Sequence, residues 1–393
     1  MLLRIICHCI YKERNHLFSI MKSHKRLFEK LLDKDFIRSC IIDAAKHKTK
    51  RSDVMHVLKN IDYYVDWLFD LLKNGEFHIH NKQPRVINEH NCNKERVIIC
   101  PDFMPDLVVQ HMVIKVLQPL FINHFYYNSC ASIPNRGPNY GRKAIQRFIR
   151  RNHLKRMYVF KFDIRRFFEH IDRNILMDKF VKLIHDDAFL YIIHQIIFYN
   201  DNDIGIPLGF YSSQWFANFY LTEFDYYTKQ SCRIPFMMRY MDDIIILDFN
   251  KRHLWESITC VIDFLLYRLH LVIKKNYQMF LLNDGCVGRC IDYMGFKFYH
   301  NRVILRKRTL CRLRRKSVCI YKKYISCYRK PNWYVCTQMI ARHGLMAHVD
   351  CYLYFLKYIK SNIQLKRMRL IISSHSKYMN MVTCNTMIQR SCA

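Results

Sequence analysis

Two adjacent carboxylates, Asp242 and Asp243, stand between two short apolar runs that are rich in Met and Ile. These runs, residues 236–241 and 244–247, favour a β-hairpin with an acidic tip. Such a pair is costly unless a cation lies against it, because like charges at contact distance repel. Magnesium binds oxygen ligands, usually one or two carboxylates together with substrate phosphates. The pair therefore indicates a magnesium site that handles phosphates.

A second strand-like run, residues 157–164, carries Asp163 near its end. One carboxylate from each of two neighbouring strands suits two-metal nucleotidyl transfer, in which the ions lie about 3.5–4 Å apart. We predict that Asp163 and Asp242 bind the metals directly and that Asp243 is a partial or supporting ligand. Aspartates also serve as structural caps in turns and at strand ends. The order of the other segments favours the catalytic interpretation.

Those segments follow one another as the motifs of reverse transcriptases do, and the chain resembles that family over roughly residues 25–360. The resemblance is closest to bacterial and phage enzymes of the diversity-generating retroelement type. Antiphage-defence and other bacterial reverse transcriptases share the same organisation. The matching segments are the fingers motifs at 95–113 and 130–148, motif A around Asp163, motif B at 205–225, motif C at 239–247 and motif E at 293–299.

The resemblance implies a right-hand polymerase fold of the mixed α/β (α+β) class. Its parts would be an N-terminal helical extension at residues 1–75, fingers and palm at 76–300, and a basic helical thumb and tail at 301–393. Apolar spacing independently predicts a helix at 212–229, with Ser212 or Ser213 as its N-cap.

The resemblance implies that two residues, Phe168 and Arg96, contact the incoming nucleotide. Phe168 lies five residues after Asp163, where the family has an aromatic side chain that clashes with a 2′ hydroxyl and so selects deoxynucleotides. Arg96 resembles the fingers arginine that grips the triphosphate, which suits the forked guanidinium. Core packing for Phe168 and a solvated position for Arg96 are the structural alternatives.

Motif B, with Pro207, Leu208, Gly209 and Gln214, resembles the segment that holds the nucleotide and the template base. Many reverse transcriptases have glutamine between the proline and the glycine, whereas this chain has Leu208. An apolar residue there is similar to diversity-generating retroelement enzymes, which copy adenines inaccurately, so low fidelity is predicted. Gln214 replaces a proline of related motifs, and a helix-surface amide is its structural alternative.

Lys274 and Lys275 resemble motif D, where a lysine protonates the leaving pyrophosphate as a general acid. The spacing leaves open which of the two lysines acts. The residues predicted to contact primer or template are Arg136 in a fingers loop, Tyr293, Met294 and Gly295 in the primer grip, and Arg312, Arg314 and Arg315 in the thumb.

The formal net charge of the 393-residue chain is +32, with 64 Lys and Arg against 32 Asp and Glu. Such a charge is self-repelling unless a polyanion shares it, and nucleic acid is the natural partner. A ribosomal-type or membrane-surface protein could be as basic, but neither explains the acidic hairpin. The predicted partners are an RNA template, a DNA or RNA primer, deoxynucleoside triphosphates, two Mg²⁺ ions with Mn²⁺ as a substitute, and a small basic accessory protein if the chain belongs to a diversity-generating element.

The 17 cysteines are scattered rather than spaced as a disulfide framework, which favours reduced thiols and a cytoplasmic location, in a bacterial cell or as a phage product. No run approaches 18 uncharged apolar residues, so no membrane segment is expected. Three functions stay open: a mutagenic retroelement polymerase, an antiphage-defence reverse transcriptase, and a non-catalytic RNA-binding protein. The aspartates at positions 163, 242 and 243 argue against the third.

Overall fold

The computed structural model describes residues 24–79, 84–89, 94–283 and 287–308, in which helices and strands are mixed along the chain. The α-helices there are α1 (Lys34–Ala45), α2 (Ser52–Lys59), α3 (Ile61–Lys73), α4 (Val108–His124), α5 (Pro138–Arg151), α6 (Arg173–Leu183), α7 (Asp187–Ile197), α8 (Ser213–Tyr220), α9 (Thr222–Gln230) and α10 (Lys251–Leu269). The strands are β1 (Arg85–Glu89), β2 (Lys94–Ile98), β3 (Tyr158–Asp163), β4 (Phe236–Tyr240), β5 (Asp243–Asp248), β6 (Gln278–Leu281), β7 (Ile291–Tyr293), β8 (Phe296–Phe298) and β9 (Val303–Leu305).

The strands form three sheets. β1 and β2 make an antiparallel hairpin, β7, β8 and β9 make an antiparallel sheet, and the largest sheet has the order β4-β5-β3-β6. In that sheet β4 and β5 are buried along nearly their whole length. Continuous apolar strands of this kind are typical of a sheet that is covered on both faces. The predicted hairpin is confirmed, and its two-residue turn is Met241–Asp242.

Aspartate side chains cap the N-termini of α6 and α7. Asp172 accepts a hydrogen bond from the Ile175 amide at 3.0 Å at the start of α6, and Asp186 accepts one from the Phe189 amide at 3.1 Å at the start of α7. Each carboxylate satisfies an amide that has no partner within its helix. No helix in the described ranges is long and apolar enough to cross a membrane.

The predicted single helix at 212–229 is wrong, because the chain breaks at Leu221 into α8 and α9. Ser212 occupies the N-cap position, but its side chain makes no capping hydrogen bond there. The Ser213 hydroxyl instead donates to the Pro207 carbonyl at 2.6 Å. The serine therefore holds the preceding loop rather than the helix end.

The chain forms two compact units. The described residues of the first lie within Met1–Ile133, Phe160–Ile246 and Lys251–Gln278, and those of the second within Pro134–Val159, Leu247–Asn250 and Met279–Ala393. The units thus follow a different division from the predicted boundaries after residues 75 and 300, and those boundaries stay a prediction. The predicted thumb residues Arg312, Arg314 and Arg315 lie outside the described residues.

A buried ion pair in the first unit joins β4 to the helices that precede it. Arg239 and Asp225 have fully buried side chains, and the guanidinium donates to both carboxylate oxygens at 2.7 and 2.6 Å. Arg239 also donates to Asn218 Oδ1 at 2.9 Å and to the Met241 carbonyl at 3.4 Å. Asn218 in turn donates to the Ala131 carbonyl at 2.9 Å. One cation therefore links α8, α9 and the acidic turn.

We expect Asp225→Asn to lower the free energy of unfolding by about 3–5 kcal/mol, because it leaves a buried guanidinium without its counter-charge. Urea denaturation followed by circular dichroism measures this. The matched control is Asp62→Asn, which removes the exposed partner of Arg38 and should cost at most about 1 kcal/mol. Equal losses in the two variants would contradict the role of the buried pair.

Candidate active site

The end of β3 and the acidic turn meet in the first unit. β3 ends at Asp163 and is the neighbour of β5 in the sheet. The amide of the next residue, Ile164, donates to the Asp242 carbonyl at 3.1 Å. The two aspartates that the sequence predicts as metal ligands therefore belong to directly hydrogen-bonded backbone segments.

The turn that carries Asp242 begins with a strained residue. Met241 has φ of +57°, a left-handed conformation that costs energy for a residue other than glycine. Its side chain is buried, and its carbonyl accepts the hydrogen bond from Arg239. Packing and this hydrogen bond thus hold the turn in a conformation that the local sequence does not favour.

Two lysines face the aspartates. Lys161 Nζ lies 4.0 Å from Asp243 Oδ1, and Lys274 Nζ lies 3.5 Å from Asp163 Oδ2. All four side chains are partly exposed. Positive charge at these distances offsets the repulsion among the carboxylates. The arrangement shows an edge of the sheet that favours cations and is open to solvent.

The carboxylates of Asp163 and Asp242 fit a common mode of magnesium coordination. Among the described residues, no group of three or more His, Cys, Asp or Glu side chains is close enough to hold a metal ion. Magnesium commonly takes only one or two protein carboxylates and completes its shell with waters and substrate phosphates. The partly exposed carboxylates of Asp163 and Asp242 can serve in this way, and the three-aspartate ligand set stays a prediction.

The backbone of Phe168 is hydrogen-bonded to motif B. Its carbonyl accepts a hydrogen bond from the Ile206 amide at 2.9 Å, at the start of the motif B loop. Its side chain is partly exposed, whereas the neighbouring Phe167 is only 2% exposed and belongs to the core. An accessible ring beside motif B is compatible with the predicted sugar gate, which stays a prediction.

The motif B loop, residues 205–209, is fixed to the segment that directly follows the β1–β2 hairpin. The Ile99 amide donates to the Leu208 carbonyl at 2.7 Å. Gly209 follows with φ of +116°, and a Cβ atom there would lie 2.1 Å from the Ile99 carbonyl oxygen. Only glycine allows this approach. Because Arg96 lies on β2 just before Ile99, with an exposed side chain, the hydrogen bond links its strand to the loop.

The other two predicted motif B residues occupy different environments. Pro207 is buried, and its contact with Ser213 makes it part of the loop's scaffold. Gln214 is exposed in the first turn of α8. Exposure leaves the Gln214 amide accessible to a ligand, and it equally fits a surface position.

The structure distinguishes the two candidate lysines of motif D. The Lys274 backbone amide donates to the Asp163 carbonyl at 2.8 Å, and its ammonium group faces the Asp163 carboxylate. Lys275 is exposed in the following turn. Lys274 is therefore the lysine that lies against the predicted metal ligand.

The predicted primer-grip residues belong to the second unit. Met294 and Gly295, with φ of +49° and +87°, form the two-residue turn between β7 and β8. The side chain of Tyr293 is fully buried, which leaves its backbone for contact with the primer, and its role in the primer grip stays a prediction. Met294 and Gly295 in the turn are partly exposed. Arg136, also in this unit, is partly exposed just before α5.

The sequence prediction missed Lys161 and the pair of Arg239 with Asp225. Lys161 stands two residues before Asp163, so a strand places both side chains on one face. Arg239 is a charged residue within an apolar strand, which requires a buried partner. Both signals are present in the sequence, although the identity of the partners depends on the fold.

A family model for "Reverse transcriptase (RNA-dependent DNA polymerase)" matches residues 79–298, which is more than half of the chain. The chain belongs to the reverse transcriptase family. The family and the right-hand polymerase fold predicted from the sequence are thereby confirmed. The predicted enzyme class, RNA-directed DNA polymerase, is the one that this family describes. The bacterial or phage subtype stays a prediction.

Solved structures similar to this reverse transcriptase include telomerases of two Candida species. Telomerase from Candida tropicalis with a fragment of telomeric RNA has a TM-score of 0.46 and 12% identity, over 82% of this chain and 60% of that one. A truncated apo telomerase from the same species gives 0.43 and 13%, over 60% and 58%. Telomerase from Candida albicans gives 0.42 and 10%, over 63% and 49%. The chain thus spans about half to three fifths of those structures. No curated protein matches it.

We expect Lys274→Gln to slow nucleotide incorporation by about tenfold or more, because a positioned general acid contributes at least that much. Lys275→Gln is the matched control and should stay within about twofold of the parent rate. Single-turnover extension of a labelled primer measures both. A larger loss in the Lys275 variant would contradict the assignment to Lys274.

Proposed function

We propose that this protein is an RNA-directed DNA polymerase that copies an RNA template into DNA from deoxynucleoside triphosphates. The observation that carries the proposal is the hydrogen bond between the backbone after Asp163 and the Asp242 turn, which sets two carboxylate-bearing segments side by side. Membership of the reverse transcriptase family supports the same reaction.

Each residue of the site has a part in the proposed reaction. Asp163 and Asp242 would hold the metals, whose chemistry is to activate the primer 3′ hydroxyl and to neutralise triphosphate charge. Lys274 would donate a proton to the leaving pyrophosphate. The Phe168 ring would exclude a 2′ hydroxyl, and Arg96 on the exposed hairpin would bind the triphosphate.

A basic surface in the second unit supports binding of nucleic acid. No Asp or Glu occurs between Asp106 and Asp163. The exposed cations in this stretch therefore have no acidic residue nearby in the sequence to neutralise them. A phosphate backbone would be a complementary partner. These cations, on α5 and just after it, are Lys143, Arg147, Arg150, Arg151, Lys155 and Arg156.

We expect Asp163→Ala and Asp242→Ala each to reduce primer extension on an RNA template by about 10³-fold or more, since each removes a ligand that stabilises transition-state charge. RNA affinity, measured by fluorescence anisotropy, should change by less than about threefold, because the carboxylates do not bind the template. The control is Asp178→Ala, an exposed aspartate on α6 that should extend normally. Near-normal extension by either site variant would refute the metal assignment.

We further propose a mutagenic polymerase of the diversity-generating type, acting with a structured template RNA and a small basic accessory protein. The support is Leu208, whose backbone is held by Ile99 while its side chain is apolar and partly buried. An apolar side chain cannot offer a hydrogen bond near the base pair, so mispairs are rejected less strictly.

Leu208→Gln is expected to lower the error rate by up to about tenfold, because one hydrogen bond contributes about 0.5–1.5 kcal/mol and 1.4 kcal/mol is tenfold in discrimination. The errors of the parent should concentrate opposite template adenine. Sequencing products made on one defined RNA measures this, and Leu208→Met, which stays apolar, is the control. Equally low error rates in all three enzymes would leave a defence or general reverse transcriptase as the better interpretation.

A further inference from the structure

A cavity of about 300 Å³ lies in the first unit, and none of the three aspartates lines it. It opens between α1 and α4, and Tyr211, which follows the motif B loop, closes one side. Its volume is in the range of small-molecule sites. The remaining lining residues are Cys40, Asp43 and Lys46 from the first helix and its end, and His111, Lys115 and Gln118 from the second.

The charge of the cavity is positive. Asp43 accepts hydrogen bonds from Lys46 and Lys115, each with an Nζ–Oδ distance of 2.7 Å. One carboxylate thus faces two ammonium groups. Lys115 is further positioned by Ser39 Oγ at 3.1 Å and by the Phe36 ring, whose centroid lies 5.6 Å from Nζ. The three groups together carry a net positive charge, which favours binding of an anion.

The cavity also has a flat aromatic wall. The rings of His111 and Tyr211 stack with centroids 3.8 Å apart and an angle of 8° between their planes. Burial, together with the nearby Lys48, lowers the pKa of His111 to about 4, so the imidazole is neutral near pH 7. Tyr211 keeps 38% of its surface exposed. Stacked neutral rings of this kind provide a surface on which a base can lie.

The other two lining groups add no further charge. Burial raises the pKa of Cys40 to about 11, so this side chain is a neutral thiol. The Gln118 amide offers both a donor and an acceptor. The segment that follows α1 adds the exposed cation of Lys50. The site therefore combines a ring surface, an amide and excess cations.

We propose that this cavity binds a nucleotide, with the base against the Tyr211–His111 rings and the phosphate between Lys46 and Lys115. A free nucleotide and a nucleotide within single-stranded RNA present the same chemistry. The site would act in addition to the polymerase centre, either as a sensor of nucleotide or as an anchor for an RNA strand. The proposal does not depend on polymerase activity.

The experiment uses the full chain with Asp242→Ala, in the absence of divalent metal, so that metal-dependent binding of a nucleotide at the polymerase centre is suppressed. Isothermal titration with AMP, adenosine and inorganic phosphate tests the free nucleotide. Photo-crosslinking with a ten-nucleotide RNA that contains 4-thiouridine, followed by peptide mass spectrometry, tests the RNA strand. The variants are Tyr211→Leu and Lys46→Gln, and their matched controls are Tyr211→Phe and the exposed Lys50→Gln.

We expect AMP to bind more tightly than adenosine or phosphate, or the RNA to cross-link at Tyr211 itself rather than at the motif B residues 205–209 of the same peptide. Tyr211→Leu should weaken that signal about tenfold, and Lys46→Gln about fivefold, whereas both controls keep it. Lys46 is exposed, so its variant should fold normally even if Tyr211→Leu does not. Phosphate binding as tight as AMP with no effect of Tyr211→Leu would overturn the proposal, as would the absence of both binding and cross-links.

Discussion

The ion pair of Arg239 with Asp225 is the interaction on which the site depends. A guanidinium within a buried strand requires a partner, because an isolated charge in the interior is strongly unfavourable. Asp225 supplies it from α9, and Asn218 joins from α8. The same guanidinium reaches the Met241 carbonyl at the acidic turn. Desolvation offsets much of the attraction in such pairs, so specificity of position is their best-supported benefit. Here the ion pair fixes the position of the Met241–Asp242 turn.

Electrostatics sets the site apart from the rest of the molecule. The chain is strongly basic, which attracts phosphates over a distance. Three carboxylates meet at one edge of the central sheet, where Lys161 and Lys274 lie against Asp243 and Asp163. A polyanionic substrate is thus drawn to the protein in general, and at this edge cations can mediate its contact with the carboxylates. The strained turn at Met241 positions the carboxylates, and the two lysines offset the repulsion among them.

Local patterns in the sequence were sufficient for the central elements. Apolar runs around the Asp242 turn predicted the β4–β5 hairpin, and the run before Asp163 predicted β3. The ordered motifs predicted the family. Features that depend on distant partners could not be read in this way. The break at Leu221 divides an unbroken helical pattern, and the burial of Tyr293 follows from packing of its sheet. The choice of Lys274 over Lys275 likewise required the backbone contact with Asp163.

The close approach of Gly209 to Ile99 bears on how substitutions in motif B can be interpreted. The space that a side chain would need is filled by a backbone carbonyl, which cannot rotate away as a flexible side chain would. Every other amino acid is therefore excluded there by the architecture, whatever ligand the loop holds. Leu208, next to it, contributes its backbone carbonyl to the same contact, which any amino acid could supply. Over evolutionary time the loop can change its chemistry at position 208 while position 209 keeps its shape.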